Sequence, residues 1–353
     1  MLRNVPAIRP SLVVKEPLLS QKKYQRKNYI SNMNQKPLVS ILCVTFNQKN
    51  YIRQTIDGFL KQKVNFSIEI IIHDDASTDG TAEIVKEYAE KYPNIIKPIL
   101  QKENQYSQGI GIWTTHIYPK AQGKYFAECE GDDYWTDPNK LQHQVDFLER
   151  NPEYIFSHTS FKYYDQANNK FLEDSSVAEN SRIQKECPEK IGLYILDQNK
   201  YRIQTVTTIY RSDLWQKITD EFAISNYFMM GDTQLFFFAT MNGKIHYDPS
   251  ITSVYRLSPN SACKRGEKNK AHYRFNLSCE EMRVYLSKYI QDEETIKKFR
   301  KAFGNALIRY ATFDPSFRSK VDESVILPKQ KIALFCTRHS CLARTLVRKK
   351  WKV

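Results

Sequence analysis

The chain has 353 residues, of which 41% are hydrophobic and 26% charged, and these values exclude a mainly disordered protein. Its length allows one large domain or two modest ones. The net charge of +14 is concentrated at the two ends, because residues 1–36 carry +7 and residues 329–353 carry +8. The chain between them is nearly neutral and offers no basic face for nucleic acid, so we expect no nucleic-acid partner.

The cysteines and the hydrophobic runs predict a location inside the cell. The seven cysteines include no CxxC pair and no zinc-ligand spacing, so we expect reduced thiols. No apolar run approaches the ~18 residues of a membrane-spanning helix, and residues 1–36 lack the pattern of a secretory signal. We expect a cytoplasmic protein, or one held peripherally on the inner face of the plasma membrane.

Strand and helix patterns alternate between residues 37 and 150. Buried strands are predicted at Val39–Thr45, Ile68–Ile72, Ile95–Leu100 and Tyr125–Cys129. Helices are predicted at Tyr51–Lys61, Thr81–Lys91 and Asn139–Arg150. This alternation is typical of an α/β fold with a mainly parallel sheet, helices on both faces, and ligands bound beyond the carboxyl ends of the strands.

The patterns weaken after residue 151. Further elements are predicted as strands at Ile155–Tyr164, Thr205–Tyr210 and Ile251–Leu257, a helix at Gly231–Met241, loops over 165–200 and helices over 267–320. We divide the chain into a basic, poorly ordered tail (1–36), an α/β domain (37–260), a mostly helical extension (261–328) and a basic amphipathic C-terminal helix (329–353).

Three carboxylates follow the fourth predicted strand within four residues, in Glu130-Gly131-Asp132-Asp133. Carboxylates this close repel one another unless they share a cation, and hard oxygen ligands suit Mg²⁺ or Mn²⁺. Such an ion would take its other ligands from water and from a diphosphate. The alternative is an acidic turn that caps the next helix.

Two other acidic positions fall where a site is expected. Asp74 and Asp75 end the second predicted strand. A carboxylate there could accept the imide N–H of uracil or thymine. A capping role for this segment is equally compatible with the pattern. Asp232 stands at the start of a predicted helix. It is either an N-cap or a general base at the mouth of a pocket.

Several common site motifs are absent from the sequence. It contains no GxGxxG fingerprint, no GxxxxGK[ST] loop, no GxSxG elbow and no HExxH pair. A phosphate ligand would therefore be held by a metal ion rather than by a glycine-rich loop.

Three motifs occur in the order and spacing of a known family. Pro37–Asn47, Asp74–Thr81 and Glu130–Trp135 resemble the bacterial inverting nucleotide-sugar glycosyltransferases of family 2, whose shared architecture is the GT-A fold. The resemblance covers roughly residues 37–260. It implies that Val44, Thr45 and Asn47 line the nucleotide pocket.

The same resemblance assigns roles to the acidic residues. Asp75 would bind the base, with Asp74 beside it. Asp132 and Asp133 match the metal motif, Asp132 also facing the nucleotide, and Glu130 replaces the first Asp of that motif in a supporting role.

The later motifs imply the catalytic groups. Asp232 matches the catalytic base of the family, and Arg256 lies in a segment that closes over the diphosphate, where its guanidinium would pair with phosphate oxygens.

The implied activity is a metal-dependent inverting glycosyl transfer that uses Mn²⁺ or Mg²⁺. The donor would be a nucleoside-diphosphate sugar, and the resemblance favours UDP because UDP-sugars are common donors in the family. The acceptor would be a hydroxyl of a glycan or lipid-linked molecule in bacterial surface polysaccharide synthesis. The alternatives are a sugar nucleotidyltransferase, against which the loop Asn47–Asn50 argues, and a non-catalytic nucleotide- or glycan-binding protein on the same fold.

The C-terminal segment, drawn as one helix, separates two kinds of side chain. Its apolar side holds Ile332, Phe335, Leu342, Ala343, Leu346 and Val347, and its basic side holds Lys331, Arg338, Arg344, Arg348 and Lys349. Such a helix suits an anionic membrane surface, and we expect membrane contact through residues 329–353. The alternative is a solvated helix packed on the domain.

Overall fold

The computed structural model describes residues 36–172, 176–197, 200–218, 228–258 and 269–352. The tail predicted over 1–36 lies outside the described residues, apart from Lys36. The strands are β1 (Val39–Thr45), β2 (Ile68–Asp74), β3 (Ile96–Leu100), β4 (Tyr125–Glu128), β5 (Tyr134–Trp135), β6 (Tyr154–Asp165), β7 (Lys170–Leu172), β8 (Ile209–Arg211) and β9 (Lys244–Leu257).

The α-helices complete the architecture. They are α1 (Ile52–Leu60), α2 (Thr81–Lys91), α3 (Lys140–Arg150), α4 (Ser176–Glu186), α5 (Ile191–Leu196), α6 (213–218), α7 (Gly231–Asn242), α8 (Lys270–Leu286), α9 (Glu293–Tyr310), α10 (Pro328–His339) and α11 (Cys341–Trp351). None of these helices within the described ranges is long and apolar enough to cross a bilayer.

The described strands form one mixed sheet in the order β3-β2-β1-β4-β8-β6-β9-β5, with β7 beside β6. Strands β1, β2, β3 and β4 are parallel, and the antiparallel β8 returns the chain so that β6 and β9 again point the same way. The carboxyl ends of β1, β2, β4, β6 and β9 therefore lie along one edge of the sheet. The predicted α/β architecture is confirmed.

Both faces of the sheet are covered, which explains the continuous apolar runs of its strands. On β1, Val39, Ile41 and Cys43 point into a core shared with α1, α2 and α3, while Leu42 points into the opposite core with α7 and the helical extension. Burying one such side chain stabilises the fold by about 1.5–3 kcal/mol.

The segment 165–200 was expected to be rich in loops, and this prediction is wrong, because α4 and α5 lie within it. Helix α4 is docked by a polar side chain as well as by Ile183. Asn180 donates to the Arg202 carbonyl at 2.7 Å and accepts from the Arg202 N–H at 3.0 Å. A helix held by polar contacts has fewer apolar residues on its buried face. The 3.6-residue hydrophobic period that would predict it from the sequence is therefore weak.

Two strand predictions need correction. Residues Thr205–Thr207 form a 3₁₀ turn before the short β8, since the hydroxyls of Thr207 and Thr208 donate to carbonyls three residues earlier at 2.7 and 2.9 Å. Such side-chain bonds compete with a strand ladder. Strand β9 begins seven residues before the predicted Ile251.

The C-terminal segment is two helices rather than the single helix predicted. Ser340 ends α10 in an extended conformation, and its hydroxyl accepts from the Ala343 N–H at 3.2 Å to cap α11. The break also divides the predicted faces. Leu334 is buried on the body of the protein, whereas Arg338 is turned inward to Glu323 at 2.7 Å.

Candidate functional site

The carboxyl edge of the parallel strands collects the acidic residues that the sequence singled out. Asp74 and Asp75 lie at the end of β2, and the acidic turn Glu130–Asp133 follows β4. Strand β1 ends between them at Thr45, whose carbonyl accepts from the Asp75 N–H at 3.0 Å. The topology therefore brings residues more than fifty positions apart to one edge.

The acidic turn is held tightly by its neighbours. The Gly131 N–H donates to the Val44 carbonyl at 2.9 Å, and the Thr55 hydroxyl lies 2.9 Å from the Gly131 carbonyl and 2.6 Å from the Asp133 carbonyl. A Cβ atom at position 131 would lie 2.5 Å from Gln48 Oε1 and 2.7 Å from the Thr45 side chain. Only glycine permits this close approach.

The adjacent Asp132 and Asp133 have different environments. Asp133 is 1% exposed, and its Oδ1 accepts from the Arg256 N–H at 2.7 Å, while its Oδ2 is buried with no hydrogen-bond partner among the described residues. Asp132 is partly exposed. Glu130 also has a buried oxygen, Oε2, without a partner in the part of the chain that the structure describes.

Burial and the mutual repulsion of the carboxylates raise pKa values in the acidic turn. Burial, and then the charge of Asp132, raise the pKa of Glu130 to about 8. Burial, followed by the neighbouring carboxylates, raises the pKa of Asp133 well above its usual range. A cation bound beside these groups would relieve the repulsion and lower both values.

Asp232 lies at the same site as the acidic turn. It is in the first turn of α7, where its Oδ1 accepts from the Thr233 N–H at 2.7 Å, and Met230 rather than Asp232 occupies the N-cap position. Its side chain is exposed to solvent at the surface, yet the surrounding protein desolvates it and raises its pKa. Its charge also raises the pKa of Glu130 and of Glu128, which places the three carboxyls within electrostatic range.

The two aspartates at the end of β2 are engaged by backbone groups. Asp74 Oδ1 accepts from the Ser77 N–H at 2.9 Å, and its Oδ2 is buried with no partner within the described ranges. Both oxygens of Asp75 accept from the loop after β3, from Gln105 N–H at 2.8 Å and Tyr106 N–H at 3.1 Å. A carboxylate has about four acceptor positions, so Asp75 keeps capacity for a ligand donor.

The β1 loop closes the same end of the sheet. Asn47 has a positive φ of 52°, a conformation that asparagine tolerates better than most residues. Its N–H donates to Ser77 Oγ at 2.8 Å, and its Oδ1 accepts from the Thr78 N–H at 2.9 Å. Val44 is partly exposed beside Thr45, so the predicted nucleotide-pocket residues and Asp75 are brought together.

Arg256 is anchored at the end of β9 by the acidic turn. Its Nε donates to the Asp132 carbonyl at 2.7 Å. Its two terminal nitrogens donate to Gln166 Oε1 at 2.7 Å and to Gln54 Oε1 at 2.8 Å. The guanidinium thus already has three protein partners, and its predicted pairing with phosphate oxygens stays a prediction.

Sequence reasoning missed a buried hydrogen-bonded group beneath the site. Glu128 Oε1 accepts from the Tyr118 hydroxyl at 2.7 Å and from the Tyr210 hydroxyl. Burial raises the pKa of Glu128 to about 7. The two tyrosines come from segments 92 residues apart, and no local motif marks either one, so only the fold reveals the group.

Comparison with known proteins identifies the family. A family model described as "Glycosyl transferase family 2" matches residues 40–218, half of the chain. The chain belongs to this family. The matched range includes the β1 loop, Asp75 and the acidic turn, and the predicted resemblance is confirmed.

Curated relatives match about a third of this chain. Putative glycosyltransferase EpsE of Bacillus subtilis is 35% identical over 134 residues, covering 38% of this chain and 46% of its own length. The Escherichia coli protein WfaP, named UDP-Glc:alpha-D-GlcNAc-diphosphoundecaprenol beta-1,3-glucosyltransferase, is 33% identical over 35% of this chain and 46% of its length. An uncharacterised Mycobacterium bovis protein is 48% identical over 117 residues, which is 33% of this chain. The chain spans between about a third and a half of the length of these three relatives.

Solved structures share the fold at low identity. Staphylococcus aureus TarS with UDP-GlcNAc has a TM-score of 0.53 and 16% identity, covering 89% of this chain and 91% of its own. Mannosyltransferase PcManGT from Pyrobaculum calidifontis, with GDP-Man and Mn²⁺, has a TM-score of 0.52 and 13% identity, covering 94% of both chains. The glycosyltransferase domain of this chain therefore has the expected GT-A fold.

Proposed function

We propose that this family 2 glycosyltransferase transfers a sugar from a nucleoside-diphosphate sugar to a hydroxyl group of a glycan or lipid-linked acceptor, with inversion at the anomeric carbon. The observation that carries the proposal is the proximity of Asp232 to Glu130. A solvent-accessible carboxylate with a raised pKa stands within electrostatic range of the acidic turn at the carboxyl edge of the parallel strands. Such an arrangement would put a general base beside a diphosphate site.

The donor end of the site is proposed to lie between the β1 loop and the end of β2. Asp75 would accept the imide N–H of uracil through its remaining lone pairs, and the backbone of Thr45 and Asn47 would border the base. TarS was solved with UDP-GlcNAc and the WfaP name specifies UDP-Glc. We therefore favour a UDP-sugar donor over dTDP- and GDP-sugars.

The acidic turn fits a divalent cation when a diphosphate is present. In the described part of the chain, no three His, Cys, Asp or Glu side chains are arranged to hold a metal ion by themselves. Mg²⁺ and Mn²⁺ sites in such enzymes commonly take one or two carboxylates together with substrate phosphates and water. Asp132 would be the exposed ligand, with the unpartnered Asp133 Oδ2 and Glu130 Oε2 beside it. A bound Mn²⁺ or Mg²⁺ would supply charge stabilisation to the leaving diphosphate.

In the proposed reaction, a residue of the chain accepts the proton of the acceptor hydroxyl. Asp232 would take the proton of the acceptor hydroxyl as that oxygen attacks the anomeric carbon, while the bond from this carbon to the diphosphate oxygen breaks. The raised pKa of Asp232 makes it a stronger base than an ordinary aspartate. Arg256 would hold the acidic turn in position, since its Nε and backbone N–H contact Asp132 and Asp133.

The acceptor is proposed to belong to bacterial surface polysaccharide synthesis. The relatives named above include WfaP, whose name specifies a diphosphoundecaprenol-linked sugar, and a lipid-linked acceptor requires access to a membrane. Helices α10 and α11 expose four large apolar side chains, Ile332, Phe335, Leu342 and Leu346, each between 58% and 70% exposed. With eight Lys/Arg and no acid in 329–353, these helices are the proposed membrane contact.

The test is a donor screen with binding measured separately from turnover. Purified protein would be incubated with UDP-, dTDP- and GDP-sugars and Mn²⁺ or Mg²⁺, and released nucleoside diphosphate would be quantified. Calorimetry would measure UDP binding with and without Mn²⁺. We expect release from one donor, loss of release with EDTA, and loss of metal-dependent UDP binding in Asp132→Asn.

The matched control is Asp213→Asn, because Asp213 is an exposed surface carboxylate that pairs with Lys217 at 2.9 Å. It should bind UDP as the wild type does. Absence of both turnover and nucleotide binding in the wild-type protein would overturn the proposal and favour a non-catalytic glycan-binding protein.

A further inference from the structure

A cavity of about 590 Å³ lies beside the acidic turn on the side of α1. Its wall combines the start of α1, the turn after Asp133, the ends of β6 and β9, and β7. The lining side chains are Asn50, Tyr51, Gln54, Tyr134, Tyr164, Gln166, Phe171 and Arg256. None of the residues placed above at the base-binding end or at the catalytic carboxylate is among them. The cavity is therefore a second concave surface at the same edge of the sheet.

Aromatic rings surround the only described cation of this lining. The Arg256 guanidinium carbon lies 4.7 Å from the centre of the Tyr51 ring, 5.3 Å from that of Tyr134 and 5.4 Å from that of Tyr164. Phe171 extends the aromatic wall, with its ring 5.0 Å from Tyr164 in an edge-to-face contact. The three tyrosines are partly exposed and Phe171 is 55% exposed, so part of each ring is open to solvent.

Hydrogen-bonding groups are fixed around the rings. Arg256 is 6% exposed and holds the Oε1 atoms of Gln54 and Gln166 on opposite sides of its guanidinium. The Nε2 end of each glutamine consequently faces away from the guanidinium. Amide and phenol groups at fixed positions can both donate to and accept from a ligand hydroxyl.

The charge around the lining does not single out an anionic ligand. Arg256 is the single charged residue of the lining, and the carboxylates of Asp132 and Asp133 lie close enough to interact with it electrostatically. Its Nε and both terminal nitrogens each donate to a protein acceptor, so two of the five guanidinium N–H groups remain for a ligand oxygen. The two carboxylates would repel a phosphate, whereas they would not repel a neutral ligand.

From this combination we infer that the cavity is a carbohydrate subsite that binds neutral pyranose units of a glycan. The C–H face of a pyranose packs on aromatic rings, and its hydroxyls suit the glutamine, asparagine and tyrosine groups. The volume accommodates about one or two sugar units on the usual scale of small-molecule pockets. Because Arg256 also contacts the acidic turn, a glycan bound here would run beside the site of transfer. Taking that glycan to be the acceptor chain rests on the proposed function.

The subsite is tested by saturation-transfer difference NMR on the full chain without donor. The probes are the methyl glycosides of glucose, N-acetylglucosamine, mannose and rhamnose, with uridine and UDP as competitors. We expect transfer to the ring C–H protons of at least one glycoside, and no displacement of it by uridine. In Phe171→Ala the affinity should fall by about 3- to 10-fold, because one aromatic contact is lost.

Two further variants show whether a loss of glycoside binding comes from the lost contact or from misfolding. Phe171 is 55% exposed on the short β7, so its removal leaves the core unchanged, and Tyr164→Ala should weaken the same glycoside at least as much. Met241→Ala removes a comparably exposed apolar side chain, 49% exposed at the end of α7, and should bind like the wild type. Thermal unfolding of each variant would confirm that it is folded.

The outcomes separate this inference from the proposed function. Silence of all four glycosides, an unchanged affinity in both aromatic variants, or displacement by uridine or UDP would overturn the subsite. Glycoside binding that is sensitive to Phe171→Ala, in a protein that neither binds UDP nor releases diphosphate from any donor, would uphold the subsite and overturn the proposed transferase reaction. Donor turnover without glycoside binding would uphold the proposed transferase reaction and overturn the subsite.

Discussion

At the scale of single residues, the site depends on carboxylates whose duties are set by their surroundings. Asp133 follows Asp132 directly in the chain, yet Asp133 is 1% exposed and bonded to the Arg256 N–H, while Asp132 is partly exposed. A sequence motif treats the two as equivalent metal ligands. The fold distinguishes them, because the end of β9 covers Asp133 with a backbone donor.

The role of Asp232 gives the first prediction. Asp232→Asn keeps the shape of the side chain and removes the proton acceptor, so the rate of sugar transfer should fall by about 10²–10⁴-fold. Binding of UDP with Mn²⁺, measured by calorimetry, should remain. Asp248→Asn, which changes a carboxylate on β9 instead of α7, is the matched control and should keep the wild-type rate. A wild-type rate in Asp232→Asn would show that another group accepts the proton.

Gly131 gives the second prediction. Gly131→Ala places a methyl group 2.5 Å from Gln48 Oε1 and 2.7 Å from Thr45, so the turn must shift, at a cost of about 1–3 kcal/mol in the free energy of unfolding. Urea unfolding would measure this cost, and metal-dependent UDP binding should weaken with it.

The comparison for this variant is Gly231→Ala, where the new Cβ would meet open space within 4 Å beyond its neighbours in the same turn of the helix. Its stability should match or exceed that of the wild type, because alanine is the better helix former. Equal stability of the two variants would mean that the acidic turn adapts easily, and the close approach at Gly131 would not constrain the site.

At the scale of elements, the last two helices illustrate how one predicted face can be divided. The sequence places Arg338 and Arg348 on the solvent side of a single helix. In the fold, Arg338 is bonded to Glu323 and to the Phe317 carbonyl, and Arg348 to the Thr312 carbonyl. The cap at Ser340 changes the helix direction, so the basic side partly turns inward and four apolar side chains remain exposed.

This arrangement gives the third prediction. The double substitution Phe335→Ser and Leu342→Ser should reduce binding to phosphatidylglycerol vesicles by at least about tenfold, since two large apolar side chains no longer enter the interface. The free energy of unfolding should change by less than about 1 kcal/mol, because both residues are exposed. Vesicle flotation and urea unfolding measure the two quantities, and Thr345→Ala is the control. Unchanged flotation would refute the membrane contact.

At the scale of the whole molecule, acid stability depends on a histidine buried between the sheet and α4. His158 is 0% exposed, its Nε2 lies 3.0 Å from the Tyr201 hydroxyl, and that hydroxyl donates to Gln184 at 2.8 Å. Burial lowers the pKa of His158 to about 3. The unfolded chain, with a pKa near 6.5, therefore binds this proton at a pH where the folded protein does not.

The fourth prediction follows from the sign of that shift. The contribution of neutral His158 to stability is present above pH 6.5 and is lost as the pH falls toward 3, by about 1.4 kcal/mol for each pH unit. His158→Gln should flatten this part of the pH profile of the free energy of unfolding. The exposed His143→Gln on α3 should leave the slope unchanged. Identical slopes in all three proteins would show that another group governs acid unfolding.

Much of the first 150 residues could be read from local patterns. The strands and helices there are confirmed with ends that shift by two residues or fewer, because apolar period, caps and strand-end acidic clusters all act over a few residues. The order of the motifs also predicted the family, and the acidic turn Glu130–Asp133 was recognised as the centre of the site. Each of these inferences needed only neighbours in the chain.

Only the tertiary structure decided which distant groups meet. Helix α4 was hidden by its polar docking contacts, and the Tyr118–Glu128–Tyr210 group and the aromatic cavity around Arg256 join segments 10 to 202 residues apart. The register of parallel strands, and not any local signal, brings them to one edge. The sequence by itself therefore determined the family and the fold, while long-range packing determined which carboxylate is exposed, which groups hold Arg256 and which cavity lies beside the acidic turn.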